Sequence, residues 1–334
     1  MDVTDLLGRA LAAGASDLHL AAGEQPLLRV DGVLQRLDLP LLTAGVLEDG
    51  MAALLDDEQR RQWAAGDELD LAVSLDGLGR FRLNLFRQRN GPSASVRLIP
   101  ASVPCLEALE LVDVFQIICR YRDGLVLVGG ATGSGKSSTL AALIDRLNRE
   151  YALHIVTLED PIEFIHSSQR SLVNQREVGL HSRDFAQALR SALRQDPDVI
   201  MIGELRDLHS IRLALRAAET GHLVLATVHT RTAVNSIDRL VEVFAAEEKP
   251  LVRSMLADSL RLVVAQLLVR RSGGGRVAAR EVLVATPAVR NLIREGRLAQ
   301  IHSLMQAGAA VGMCTMEEAL RALEARGIID TSLN

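Results

Sequence analysis

Apolar side chains recur at helical spacing over residues 3–13 and predict an amphipathic opening helix, followed by a short strand at 17–20. The segment LLRVDGVLQRL places two apolar runs on either side of Asp31-Gly32, which signals a hairpin. Helical periodicity returns through 43–63. Strands at 69–75 and 80–87 then flank Asp76-Gly77, and Asn90-Gly91 turns the chain into a third at 94–99. Residues 1–100 therefore read as a small α+β unit. Pro100 and Pro104 bracket a linker, placed at 101–112.

From about residue 113 the pattern changes to short apolar runs alternating with helical stretches. Runs at 124–128, 154–158, 199–202 and 223–228 suit strands buried on both faces, so the unit at 113–286 is expected to be α/β with a parallel-sheet core. Helices are predicted at 137–148 and 183–195, and a long one at 250–270. Gly273, Gly274 and Gly275 break the chain before a strand at 277–285, and small helices fill the C-terminal region, 287–334. The most apolar stretch, 260–269, is interrupted by Arg261 and Gln266. It falls far short of the roughly 20 residues that span a bilayer. The N-terminus lacks the basic-then-apolar layout of a secretory signal.

Composition sharpens this picture at three points. A length of 334 residues suggests about two domains, and 48% hydrophobic with only 3% aromatic residues implies cores of Leu, Val, Ile and Ala. Cys105, Cys119 and Cys314 form no CxxC pair, which excludes a disulfide framework or four-cysteine zinc site and fits a reducing cytosol. A net charge of −5 gives no general reason to expect nucleic acid, and so few aromatics argue against a base-stacking channel. Only two of the 37 basic side chains are lysine, Lys136 and Lys249. A lysine in so arginine-rich a chain is expected where a compact ammonium cannot be replaced by a planar guanidinium.

Lys136 lies in Gly130-Ala131-Thr132-Gly133-Ser134-Gly135-Lys136-Ser137, which matches GxxxxGK[ST] between an apolar strand and a helix that continues through Ser138. The glycines let backbone N–H groups curl around a β-phosphate, and the helix N-terminus adds positive potential. Lys136 would bridge β- and γ-phosphates, and the Ser137 hydroxyl would ligate magnesium, so ATP and Mg²⁺ are the expected cofactors. A plain glycine-rich turn would not need that strand-loop-helix context.

Carboxylates stand at two strand ends, where open α/β sheets bind ligands: Glu159 to Glu163 after HIVTL, and Glu204 after VIMI. Either alone could be a solvated turn; together, downstream of a P-loop, they read as catalytic. His222 and His229 bracket LVLATV and could sense a γ-phosphate or make structural hydrogen bonds. Arg190 and Arg194 share one helix face, phosphate-facing or merely solvated; spacing does not choose. In 287–296, Ala288, Val289, Leu292 and Ile293 form an apolar helical face, with Thr286 as cap, Pro287 at the first position and Gly296 as stop.

GASDLHL (14–20), GATGSGKS (130–137), LEDPIEF (158–164), LVNQREV (172–178), ALRSALRQDPDVIMIGELRD (188–207), AAETGHLVLATVHT (217–230) and PAVRNLIREG (287–296) follow in order. With these blocks the chain resembles the secretion and pilus motor ATPases, and closely resembles their type IV pilus retraction branch. The resemblance implies a PAS-like N-terminal domain joined by a linker to a RecA-like P-loop ATPase domain, assembled as a homohexameric ring. It makes 158–164 an Asp box, 199–204 a Walker B strand and 221–229 a His box. Glu163 is then the base that polarises water, and Glu204 supports magnesium, with Ser137 and Glu159 as further metal candidates. His222 and His229 become γ-phosphate-linked. Arg82 and Arg97 on the N-terminal strands, and Arg190, Arg194 and Arg239, are the candidates to reach phosphates.

The implied activity is MgATP hydrolysis powering pilus retraction and twitching motility. The implied partners are further copies of the chain, an inner-membrane pilus platform protein and a paralogous motor ATPase, with no specific nucleic acid. The implied place is cytoplasmic, peripheral at the inner face of the bacterial inner membrane. Extension and secretion relatives typically carry a larger N-terminal region and a four-cysteine insertion, which this chain lacks. Ala131 and Leu205 stand where Pro and Met are usual, and GLHSRD (179–184) and Arg231 also depart from the pattern. Neither Ala131 nor Leu205 removes a ligand; the changes at 179–184 and Arg231 leave open a main motor or an accessory retraction paralogue. The chain also ends soon after Ile328, short of the usual helical tail. Outside this branch, a RecA-like nucleic-acid translocase and a non-hydrolysing ring subunit are the competing readings; intact Lys136, Glu163 and Glu204 argue against the second.

Overall fold

The computed structural model describes residues 2–99 and 102–330; Pro100 and Ala101 of the expected linker region, and 331–334 at the C-terminus, lie outside the described residues. The chain divides into two compact units, Met1–Ser102 and Val103–Asn334.

In the first unit α1 (Val3–Ala12) is capped by Asp2 and buries Val3, Leu6, Leu7 and Ala10. It is followed by β1 (Asp17–Ala21), β2 (Leu27–Val30) and β3 (Val33–Arg36). Asp31 and Gly32 both take positive φ, 48° and 83°, as the Asp-Gly hairpin signal requires. The helical stretch expected over 43–63 is two helices, α2 (Ala44–Ala52) and α3 (Asp57–Ala65). The break comes at Asp56, which starts α3 with a reciprocal capping box to Gln59. The strands β4 (Leu69–Leu75), β5 (Gly79–Gln88) and β6 (Gly91–Ile99) complete an antiparallel sheet ordered β3-β2-β1-β6-β5-β4.

The second unit opens with α4 (Val112–Ile118), β7 (Gly124–Gly129), α5 (Lys136–Glu150), β8 (His154–Glu159) and β9 (Leu172–Glu177). Next come α6 (Phe185–Ala192), β10 (Val199–Ile202), α7 (Leu208–Glu219), β11 (Leu223–Val228), α8 (Ala233–Glu242) and α9 (Lys249–Ser259). The last elements are β12 (Leu260–Arg270), β13 (Arg276–Val284), α10 (Pro287–Glu295), α11 (Ile301–Gln306) and α12 (Met316–Ala325). The sheet order is β13-β12-β7-β11-β10-β8-β9, parallel except for the β12–β13 pair. Every residue of β7, β10 and β11 is buried, which is why these strands read as unbroken apolar runs.

Two expectations are corrected. The helix expected over 250–270 ends at Ser259, and 260–270 is strand β12, paired with β7 and β13. Leu262, Val263, Val264 and Ala265 are buried in succession, so both faces of this run are covered. A helix at the surface of a sheet would hide only one. Strand β9 was not anticipated, because an edge strand with one fully buried residue, Val173, lacks the apolar run of its neighbours.

Candidate functional site

Parallel strands β7, β8, β10 and β11 end at one edge of the sheet, and the loops leaving them build the site. The loop after β7 curls before α5, with Gly130, Gly133 and Gly135 all at positive φ. Gly130 has a second reason to lack a side chain. A Cβ there would lie 2.3 Å from Ser134 Oγ and 2.7 Å from the Gln266 carbonyl oxygen. Ala131, Thr132 and Gly133 form an exposed rim, while Ser134 and Lys136 are buried and Ser137 and Ser138 partly so. Lys136 Nζ donates to the Gly130 and Ala131 carbonyls at 2.9 and 3.0 Å.

Gln266 on β12 braces this loop and was not singled out from sequence, where it counted only as a polar interruption. Its Nε2 donates to Ser134 O at 2.6 Å and its Oε1 accepts from Thr139 Oγ1 at 2.9 Å. On strand β12, a glutamine this deeply buried needs such partners.

The carboxylates differ in what surrounds them. Glu204, after β10, accepts from Arg206 at 2.7 Å and lies 3.1 Å from His229 Nε2. Desolvation opposes its charge, but the Arg206 hydrogen bond and the His229 and Arg206 charges outweigh it and hold the carboxyl below its usual range. Glu159, at the end of β8, is 8% exposed and accepts from Thr157 Oγ1 at 2.7 Å and Gln175 Nε2 at 3.1 Å. Burial pushes its carboxyl up against those hydrogen bonds. Glu163 is half-buried in the following loop, and its backbone N–H also bonds Glu159. Burial lowers the Lys136 ammonium, and the nearby charges of Glu204 and Glu163 oppose that shift. Carboxylates from the loops after β8 and β10 thus both act by their charge on this ammonium.

The remaining candidates fall elsewhere. His229 joins the site through Glu204, but His222 stands at the other end of β11, about 20 Å away at the usual rise per strand residue. There its Nδ1 lies 3.0 Å from Ala217 O and 3.3 Å from Thr220 Oγ1, at the end of α7, so within this chain it does not meet the P-loop. Arg190, Arg194 and Arg239 are exposed, but α6 ends at Ala192 and Arg194 lies in the turn beyond it, so the helix face expected to carry both Arg190 and Arg194 is not formed. Arg82 and Arg97 belong to the first unit, directly opposite each other on β5 and β6; Arg82 pairs with Asp70 and Arg97 with Asp17. On α10, Val289 and Ile293 are buried and Leu292 partly so, but Ala288 is exposed and leaves the expected apolar face.

The residues present fit a magnesium-bound triphosphate. The Ser134 hydroxyl is buried without a hydrogen-bond partner beside the loop. Among the described residues no three His, Cys, Asp or Glu side chains cluster as a metal cage. Mg²⁺ held by phosphates, waters and the Ser137 hydroxyl needs no such cage.

Comparison with known proteins decides the family. The family described as Type II/IV secretion system protein matches residues 1–325. The chain belongs to that family. This secretion-family chain is 50% identical over 329 residues to the type IV pilus retractation ATPase PilT of Pseudomonas aeruginosa, covering 98% of itself and 96% of that protein. It is 49% identical over 305 residues to a twitching motility protein of Neisseria gonorrhoeae, covering 91% and 82%. A crystal structure of the pilus retraction motor PilT with bound ADP superimposes with a TM-score of 0.88 at 42% identity, covering 99% of this chain and 95% of that one.

Proposed function

We propose that this chain is the subunit of an ATP-hydrolysing motor that powers type IV pilus retraction. The observation that carries the reading is Lys136 at the P-loop, flanked by the charges of Glu163 and Glu204, in a chain that aligns almost end to end with PilT. Lys136 would hold the β- and γ-phosphates, Ser137 and Glu204 would hold Mg²⁺, and Glu163 would polarise the attacking water. When bound, Mg²⁺ neutralises charge on the phosphates. His229 reports on the γ-phosphate through Glu204, since the two side chains touch. The exposed Arg190, Arg194 and Arg239 are free to approach a neighbouring subunit's nucleotide in a homohexameric ring. The ring works at the cytoplasmic face of the inner membrane against a pilus platform protein; no described helix is long and apolar enough to cross that membrane.

The test pairs chemistry with motility. Purified protein should hydrolyse MgATP, and Lys136→Ala should abolish turnover and weaken nucleotide binding. Lys136→Arg should also fail, because a planar fork does not fit a nest shaped for an ammonium. In a bacterium lacking its retraction ATPase, the wild-type chain should restore twitching and the Lys136 variants should not. A wild-type rate in Lys136→Ala would sink the enzymatic reading, and active enzyme that never restores retraction would sink the pilus assignment.

A further inference from the structure

The loop of residues 160–171, which carries Glu163, joins two adjacent parallel strands without containing a helix or strand of its own. Such a crossover is normally a helix, whose backbone bonds hold it in shape. Here side chains do that work. Alternation along β9 puts Val173, Gln175 and Glu177 on one face. Gln175 Nε2 donates to Phe164 O at 2.8 Å and to Glu159 Oε1 at 3.1 Å, while its Oε1 accepts from His166 N at 2.7 Å. Glu177 Oε2 accepts from Ile162 N at 3.0 Å. The backbone is therefore gripped on both sides of Glu163, at 162 and at 164. Glu163's own N–H goes to Glu159, the carboxylate that Gln175 also holds.

The far end of the loop is fastened separately. Fully buried Asn148 on α5 donates to Ser167 O at 2.8 Å and accepts from Gln169 N at 2.9 Å. The β9 pair bears on the segment next to Glu163.

We infer that Gln175 and Glu177 are positioning residues for Glu163, fixing the backbone from which its carboxylate reaches the P-loop. The inference rests on the reading of Glu163 as the group that polarises water. A side-chain clamp suits a base that must be held within a fraction of an ångström of its water while the rest of the loop stays irregular. The side-chain bonds of Gln175 and Glu177 described above go to the loop that carries Glu163 and to Glu159, so nucleotide affinity and turnover should separate when the clamp is cut.

The experiment is a double-mutant cycle on the full-length protein, with MgATP turnover, nucleotide affinity and a melting curve for each variant. Gln175→Ala should lower kcat by about 10–100-fold, the range seen when the partner that orients a working side chain is lost, and leave nucleotide affinity unchanged. Glu177→Ala should act in the same direction, while Glu177→Gln, which keeps an oxygen for Ile162 N, should restore most of the rate. In a Glu163→Gln background Gln175→Ala should cost less than about twofold more, because residues acting through one group are not additive. An undiminished effect of Gln175→Ala in that background, or loss of nucleotide affinity in step with kcat, would overturn the positioning role. Wild-type turnover in Glu163→Gln alone would instead overturn the reading of Glu163. If Gln175→Ala melts early, the Glu177→Ala and Glu177→Gln pair decides by the same cycle.

Discussion

β8 and β10 are adjacent, run parallel and end in a glutamate or just before one, yet Glu159 and Glu204 have opposite electrostatic surroundings. Glu204 meets the Arg206 guanidinium and the His229 ring at the mouth of the site, and its carboxyl is held below the ordinary range. Glu159 meets a hydroxyl, an amide and a backbone N–H under the sheet edge, and burial pushes its carboxyl up. Position at a strand end therefore supplies candidates, while partners and burial divide the work among them. Glu204 is suited to handling a cation. Glu159 is suited to holding a loop, and Glu163, near the start of that loop, inherits its placement.

The largest expected effect separates the two acids proposed to act on the nucleotide. Glu163→Gln should bind MgATP but turn it over about 10²–10⁴-fold more slowly, with an ordinary magnesium dependence. Glu204→Gln should demand about 10–100-fold more Mg²⁺ for half-maximal turnover, as expected when a group supporting a metal from its outer shell is neutralised. Titrating Mg²⁺ against turnover for each variant reads both. The reverse pattern would mean that the two roles are exchanged.

A smaller difference is expected between the two histidines at the ends of β11. His229→Ala removes a partner of Glu204 and should lower turnover, though less than Glu204→Gln does. His222→Ala removes only contacts at the end of α7, so kcat should stay within about twofold and the cost, roughly 0.5–1.5 kcal/mol, should appear in the melting temperature. Equal losses of turnover in the isolated protein would contradict the separation seen along β11.

These contrasts also mark where sequence reading stopped. The P-loop, the acids after β8 and β10 and the four buried parallel strands were legible because each has a local signature: glycine spacing, a carboxylate after an apolar run, or the run itself. His222 and His229 were not separable, since an unbroken apolar run shows that they bracket a strand but not which of them meets the P-loop. β12 was misread because its apolar residues are consecutive, and a consecutive run fits either a buried helix or a buried strand. That error hid Gln266, whose two hydrogen bonds make sense only on a strand beside the loop. Gln175 and Glu177 sat within a recognisable block, but their partners are up to sixteen positions away, beyond any local pattern.

The smallest effect tests the other half of the acid comparison. A carboxyl whose folded-state pKa is raised binds its proton more tightly in the folded chain. Its contribution to stability is full below the unfolded value, near 4.5 for Glu159, and is lost as pH rises through the raised value. Glu159→Gln keeps an oxygen for Thr157 and Gln175 but cannot titrate. The melting temperature of the variant relative to wild type should therefore be most favourable above the raised value and become less so as pH falls toward the ordinary carboxyl range. A change of 1 kcal/mol corresponds to about 2–4 °C in a unit of this size, so scanning calorimetry at several pH values resolves it. Other groups titrate over the same window, but they are common to both proteins and cancel in the difference. Glu204→Gln should give the opposite slope: wild type loses the advantage of its charged carboxylate as acid protonates it, so the variant gains on wild type toward low pH. Parallel slopes for the two variants would mean that the two strand ends share one environment, and the division of labour drawn from their partners would fail.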